Sequence, residues 1–225
     1  MKSLISITRR TGNMKKYIVL AFILAVFTAS QVCAAELNLQ TLPAQTAGGY
    51  YVGAIGGNIV GGTKANYYCD DFATHTTVPS TFTVLVSTLS DISGTKFNNQ
   101  PDALKKYQQV GWLMYQMEIN PVNTGAIQFA MWDVFYTPPA GGAKPEFGDS
   151  AAWLEASAKI DAGSYDFSQM RIYTPTGAPN QEFVGGHVSA VPEPAEWMLL
   201  IIGLGLITYS VQRNRRVGAV IRISA

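Results

Sequence analysis

The chain has 225 residues, 16 Lys and Arg against 15 Asp and Glu, and 48% hydrophobic residues, enough for one ordinary domain with a packed core. Residues 36–190 carry 13 acidic against 7 basic side chains, a net −6, because the positive residues gather at the two ends. That balance argues against a basic nucleic-acid-binding surface, and no metal cluster, phosphate loop or serine-hydrolase elbow points to a cofactor or to an enzyme. At the amino end, Lys15 and Lys16 precede an apolar run from Tyr17 to Phe27, then small and polar residues up to Cys33, Ala34 and Ala35. A basic n-region, an apolar h-region and a small-residue cleavage site define a secretory signal peptide over residues 1–35, cut after Ala34 or Ala35. Translation starts at Met1 or at Met14, which opens the basic segment. Cys33 follows Val32 rather than the small residue a lipidation site wants, so a lipid anchor there is not expected.

The body, residues 36–190, reads as strands, then helices, then strands. Tyr50 to Ala54 and Asn58 to Val60 form two short strands around a Gly56-Gly57 turn, with Gly61-Gly62 as the next break. A third strand runs from Thr81 to Leu89, with Phe82, Val84 and Val86 on one face. The period then changes. Leu104, Tyr107, Val110, Met114 and Met117 recur at helical spacing over residues 102–117, behind Pro101. A second helix starts at Asn123 or Thr124 and stops at Tyr136 before Pro138-Pro139. A third begins at Asp149 or Ser150 and passes Trp153, Leu154 and Ile160 to end at Gly163. Strands at residues 170–174 and 182–184 close the domain. The expected fold is α+β and β-rich, one exported domain with about three helices between strands.

After the body come Val191, Pro192, Glu193 and Pro194, an apolar run over residues 197–212, and a basic cluster of Arg213, Arg215 and Arg216. The fifteen residues of the run from Trp197 to Val211 make a helix of about 22 Å. With its flanks and snorkelling arginines it reaches a marginal membrane span. The alternative is a buried core helix. Lys15, Lys16 and the arginines all favour the cytoplasmic side, leaving the body outside. A Pro-Glu-Pro break, one apolar helix and a stop of arginines, in that order, resembles the PEP-CTERM sorting signal of Gram-negative bacteria, over residues 191–216. The resemblance implies a transient inner-membrane anchor, an exosortase-type processing enzyme as partner, release to the cell surface or exterior, and association with exopolysaccharide. The tail 217–225 extends past the arginines, where that signal usually stops.

With the signal peptide removed, Cys69 is the sole thiol of an exported protein, and an odd cysteine there calls for an explanation. Its setting is Tyr67-Tyr68-Cys69-Asp70-Asp71, and the second helix carries Ile127-Gln128-Phe129-Ala130-Met131-Trp132. A Tyr-Cys-Asp segment followed by an Ile-Gln-x-Ala-x-Trp helix resembles the thioester domains of bacterial surface adhesins. In those domains a cysteine sulfur is joined to a glutamine side-chain carbonyl, which here implies a Cys69–Gln128 bond open to a surface nucleophile. A fold that holds the pair in contact supplies the effective concentration such a bond needs. Gln128, Trp132 and Phe135 would share a stripe, with Ile127, Ala130, Met131 and Val134 facing the core. The plainer reading makes Cys69 a small buried hydrophobe and Gln128 a helix residue bonded to backbone. Asp70 and Asp71 read as a solvated turn rather than a calcium site. His75 lies too near in sequence, and His187 too near the exit linker, to serve Cys69 as a protease base. Trp112, Trp132 and Trp153 read as core. The expected function is a non-enzymatic exported surface or matrix protein; the alternative is a covalent adhesin.

Overall fold

The computed structural model describes residues 33–139, 142–177, 179–191, 201–204 and 206–209. Its centre is a closed barrel in which every neighbouring pair of strands is antiparallel. The barrel strands are β1 (Cys33–Thr41), β4 (Ile55–Ile59), β5 (Lys64–Cys69), β9 (Phe183–Gly185), β8 (Arg171–Pro175) and β6 (Ser80–Ser87), in that spatial order. Two ribbons stand apart from it: β2 (Gln45–Ala47) with β3 (Tyr50–Val52), and β7 (Tyr165–Asp166) with β10 (Ser189–Ala190). Three helices fall between the strands: α1 (Ala103–Ile119), α2 (Thr124–Phe135) and α3 (Ser150–Ala158). The fold is α+β and β-rich.

Alternation along the strands makes two cores. Leu37, Leu39, Tyr67, Cys69, Val84, Tyr173 and Phe183 turn into the barrel, where Phe129 and Trp132 of α2 join them. Their neighbours Tyr68, Ile172 and Val184 turn outward and are covered by Tyr107, Val110, Leu113 and Met114 of α1 and by Ile127, Ala130 and Met131 of α2. Residues 126–135 of α2 are all buried, because the helix lies between the two cores and touches both. Burial on every side erases the one-sided stripe: Trp132 belongs to the barrel core, whereas Phe135 belongs to the helical one.

Several expectations change. Gly56 and Gly57 do not form a turn; they lie inside β4, opposite Thr41 and Leu39 of β1. The backbones run so close there that a Cβ on Gly57 would strike the Asn38 carbonyl. The chain bends instead at Gly53, with φ +95°, between β3 and β4. Strands β1 and β5 were not expected. β1 starts at Cys33, with Cys33, Ala34 and Ala35 opposite Val86, Leu85 and Val84, so a cut after Ala35 would shorten it to 36–41. Helix α3 stops at Ala158, and Ala162–Ser164 is a separate turn of 3-10 helix in which the Asp161 side chain accepts from Gly163 N.

The continuously described body ends at Val191, the first residue of the expected sorting motif. The backbone N–H of Val191, just past β10, donates to the Ser164 carbonyl at 2.8 Å. Pro192, Glu193, Pro194, Arg213, Arg215 and Arg216 lie outside the described residues, as do residues 1–32, most of the expected signal peptide, and the tail 217–225. Among the described residues no helix is long and apolar enough to cross a membrane. Of the expected span 197–212, residues 201–204 and 206–209 are described and are helical. Ile201, Ile202, Leu204, Leu206, Ile207 and Tyr209 there are each more than half exposed, which is not the burial of a core helix.

Candidate functional site

Cys69 is the last residue of β5 and pairs with Phe183 of β9. Its even spacing from Tyr67 turns its side chain into the barrel, where it is 6% exposed. The thiol donates to the Asp71 carbonyl at 3.2 Å. Gln128 lies on α2 and is 1% exposed. Its Nε2 donates to the Cys69 carbonyl at 2.7 Å, and its Oε1 accepts from Gly53 N at 3.3 Å. These partners fix which way the amide points, since a backbone carbonyl only accepts and a backbone N–H only donates. The structure therefore brings Cys69 and Gln128, 59 residues apart, against each other.

Gly53 completes the arrangement. Its φ of +95° is a glycine conformation, and a Cβ there would come within 2.8 Å of Thr124 Cγ2 on the first residue of α2. The turn can approach the helix start only without a side chain. Its N–H then faces the oxygen on which negative charge would gather if sulfur attacked the Gln128 carbonyl carbon. Sequence reasoning missed Gly53; its signal is a lone glycine between two strand-like runs.

Electrostatics favour neutral species throughout. Burial pushes the Cys69 thiol well above its ordinary pKa, and the neighbouring Asp70 carboxylate adds to the effect. Two smaller influences act the other way: the contact with the Asp71 backbone and the Trp132 indole N–H, which favours the thiolate. That indole N–H makes no hydrogen bond of ordinary geometry among the described residues. Asp70, Asp71 and Glu182 are all buried, so the expectation of a solvated turn at Asp70 and Asp71 is corrected. Asp71 is neutralised by a salt bridge to Lys96. Glu182 accepts from the Tyr107 hydroxyl at 2.6 Å, from Lys96 N at 2.7 Å and from the Thr174 hydroxyl. Neither Asp70 oxygen has a partner among the described residues, and burial first, then Glu182 and Asp71, drives its pKa well up. Glu182 is also raised, chiefly by burial.

A cavity of about 200 Å3 gives access to the pair, lined by Cys69, Gln128, Trp132, Tyr50, Tyr51 and His75 among others. Tyr50, Phe72, Phe129 and Trp132 form a contiguous aromatic cover, with ring centroids 5.0 to 6.0 Å apart. Trp132 is thus both core and cavity wall. His75 reaches this cavity despite its closeness in sequence to Cys69, because residues 70–79 loop back over the barrel end between β5 and β6. His187 is exposed elsewhere, in the field of Glu118 and Asp166. The thiol bonds to the Asp71 carbonyl rather than to an imidazole, and its raised pKa is opposite to that of a hydrolase nucleophile. Among the described residues no group of three or more His, Cys, Asp and Glu could hold a metal ion. No protein-family model, curated protein or solved structure matches the chain.

Proposed function

We propose that the chain is an exported cell-surface or extracellular-matrix protein, non-enzymatic, whose body carries an internal Cys69–Gln128 thioester for covalent attachment to a surface nucleophile. The observation that carries the reading is the Gln128 carboxamide held between the Cys69 carbonyl and the Gly53 N–H inside a buried, aromatic-covered cleft. Formation of the bond is balanced: sulfur attacks the carboxamide carbon, the thiol proton passes to nitrogen, and ammonia leaves. The aromatic cover would slow hydrolysis by keeping water from the bond. A bound nucleophile becomes joined to Gln128, and Cys69 returns as a thiol.

Export rests on the amino-terminal signal peptide and on the carboxyl-terminal motif of Val191, Pro192, Glu193 and Pro194 with Arg213, Arg215 and Arg216. The exposed apolar side chains at 201–209 support a helix that anchors the chain in the inner membrane before an exosortase-type enzyme acts on it. The acidic body fits an extracellular module better than a nucleic-acid binder. Intact-mass measurement of the purified mature domain tests the bond. The domain should weigh one ammonia less than its sequence, with a thiol that resists alkylation in denaturant until methylamine opens the bond. Cys69→Ala and Gln128→Ala should each restore full sequence mass. A parent domain at full sequence mass with an alkylatable thiol would leave Cys69 as packing and the protein as a non-covalent surface module.

A further inference from the structure

The thioester reading leaves open which nucleophile the site takes, and the cavity narrows that choice. The reactive pair is buried, so a nucleophile must enter past the exposed part of the lining, where Tyr50 is 41% and Tyr51 55% exposed. The lining includes the hydroxyl- and amide-bearing Thr76 and Gln181 and the ring of Trp132, but no carboxylate and no Lys or Arg. An ammonium group entering there would lose hydration without meeting an opposite charge. A carbohydrate carries no charge to desolvate, and its apolar ring faces suit tyrosine and tryptophan rings while its hydroxyls suit Thr76 and Gln181.

A hydroxyl is a weak nucleophile and needs a base in reach. His75 is the imidazole in this lining, and its position is fixed from both sides. The Thr74 hydroxyl accepts from Lys96 Nζ at 2.7 Å, and the Thr76 hydroxyl accepts from Gln181 N at 2.7 Å. The loop is held again where Gln181 Nε2 donates to the Asp71 carbonyl at 2.9 Å. The imidazole itself makes no hydrogen bond among the described residues and is exposed at the cavity mouth.

We propose, building on the thioester reading, that the site acylates carbohydrate hydroxyls and that His75 is the general base of that transfer. His75 removes the hydroxyl proton as the oxygen attacks the Gln128 carbonyl carbon. Charge on the carbonyl oxygen is received by the Gly53 N–H. The carbon–sulfur bond breaks, the departing sulfur faces the Trp132 N–H, and the imidazolium returns its proton to sulfur. The products are an ester at Gln128 and a free Cys69 thiol. No electrons are exchanged with any other reagent.

The test uses the mature domain with glycerol as the hydroxyl probe, methylamine as the small amine and an acetylated lysine amide as the peptide-like amine, each followed by intact mass. The parent should form a glycerol ester. In His75→Gln the ratio of glycerol to methylamine rates should fall by at least about 100-fold, the usual contribution of a positioned base. The mass deficit of the variant before reaction reports that it has folded and formed its bond. A parent that reacts with methylamine or the lysine amide but not with glycerol would overturn the hydroxyl assignment. Glycerol and methylamine rates falling together in the variant would reduce His75 to a cavity wall. A parent with no mass deficit and no reaction with any probe would instead sink the thioester reading on which the proposal stands.

Discussion

If Cys69 and Gln128 are joined, their bond is a cross-link across 59 residues, and its removal should be visible in stability. In the chain-entropy model the unfolded state loses 2.1 plus 1.5R times the logarithm of the loop length, here about 14 cal/mol/K, or about 4 kcal/mol at room temperature. Replacing Cys69 by Ala also removes one buried sulfur, for about 1 kcal/mol more. Cys69→Ala should therefore lower the unfolding free energy by about 5 kcal/mol, against about 1 kcal/mol if the residue only packs. Gln128→Ala alone discriminates poorly, since it also strands the Gly53 N–H and, where the carboxamide is intact, the Cys69 carbonyl, at about 1–3 kcal/mol each. The double variant completes a cycle: a shared bond can be lost only once, so the two changes should fall short of additivity by about 4 kcal/mol. Equilibrium unfolding in urea is the assay, and the denaturant slope should rise without the bond, because a freer unfolded chain exposes more surface. A loss of less than about 1.5 kcal/mol in Cys69→Ala, with an unchanged slope and an additive cycle, would refute the cross-link.

The buried carboxyls predict a pH dependence. Asp70 and Glu182 have folded pKa values raised above their unfolded ones, so the stability they contribute is fully present below the unfolded carboxylate range and is lost as pH rises through the folded values, at about 1.4 kcal/mol per pH unit for each proton. Asp70→Asn should accordingly raise the melting temperature at neutral pH and change it little in mild acid; equal effects at both would show that Asp70 is not a buried acid. Replacing Pro192, Glu193 and Pro194 with alanines should leave the apolar helix able to insert but retain full-length protein in the membrane fraction, and unaltered release would move the processing site elsewhere. A reporter fused after Arg216 should read as cytoplasmic and one inserted at residues 140–142 as external; both on one side would end the anchor reading.

The three helices were legible because each sits where period or punctuation marks it: Tyr107, Val110 and Met114 at helical spacing in α1, Pro138 after α2, Ser150 at the start of α3. Strand β5 was not, since Tyr67 and Cys69 bury in the barrel while Tyr68 buries under the helices, and burial on both faces hides a period of two. β1 carried a readable signal. Leu37 and Leu39 alternate with Glu36, Asn38 and Gln40, but the strand begins inside the small-residue stretch Cys33-Ala34-Ala35, which also fits a cleavage site. Of the site, Cys69 and Gln128 could be named from two short motifs. Gly53 was not, and His75 was named only to be set aside as too near Cys69 in sequence, because their place depends on a bend and a loop meeting over the end of the barrel. Asp70 and Asp71 misled for a related reason: two adjacent carboxylates look like surface until a lysine 25 positions away is folded onto one of them.

The burial that raises the Cys69 pKa bears on what kind of chemistry the site can sustain. An exposed catalytic thiol is kept as a thiolate and turns over; this one is held protonated beside an acid that is itself driven toward neutrality. Thiol, carboxamide and thioester are all uncharged, so each is a stable resident of the same apolar cleft, whereas among the described residues thiolate and oxyanion have only single N–H groups, from Trp132 and Gly53, to meet them. Charged species can therefore be passed through but not stored. A bond made in such a place is slow to hydrolyse and is consumed when a nucleophile takes it, because ammonia has already left and the carboxamide cannot re-form. One Cys69 and one Gln128, if joined, would give one attachment per molecule. Single use would suit the exported binding protein proposed above, and it would make the stoichiometry of adduct to protein, bounded at one, a direct mark of linkage rather than catalysis.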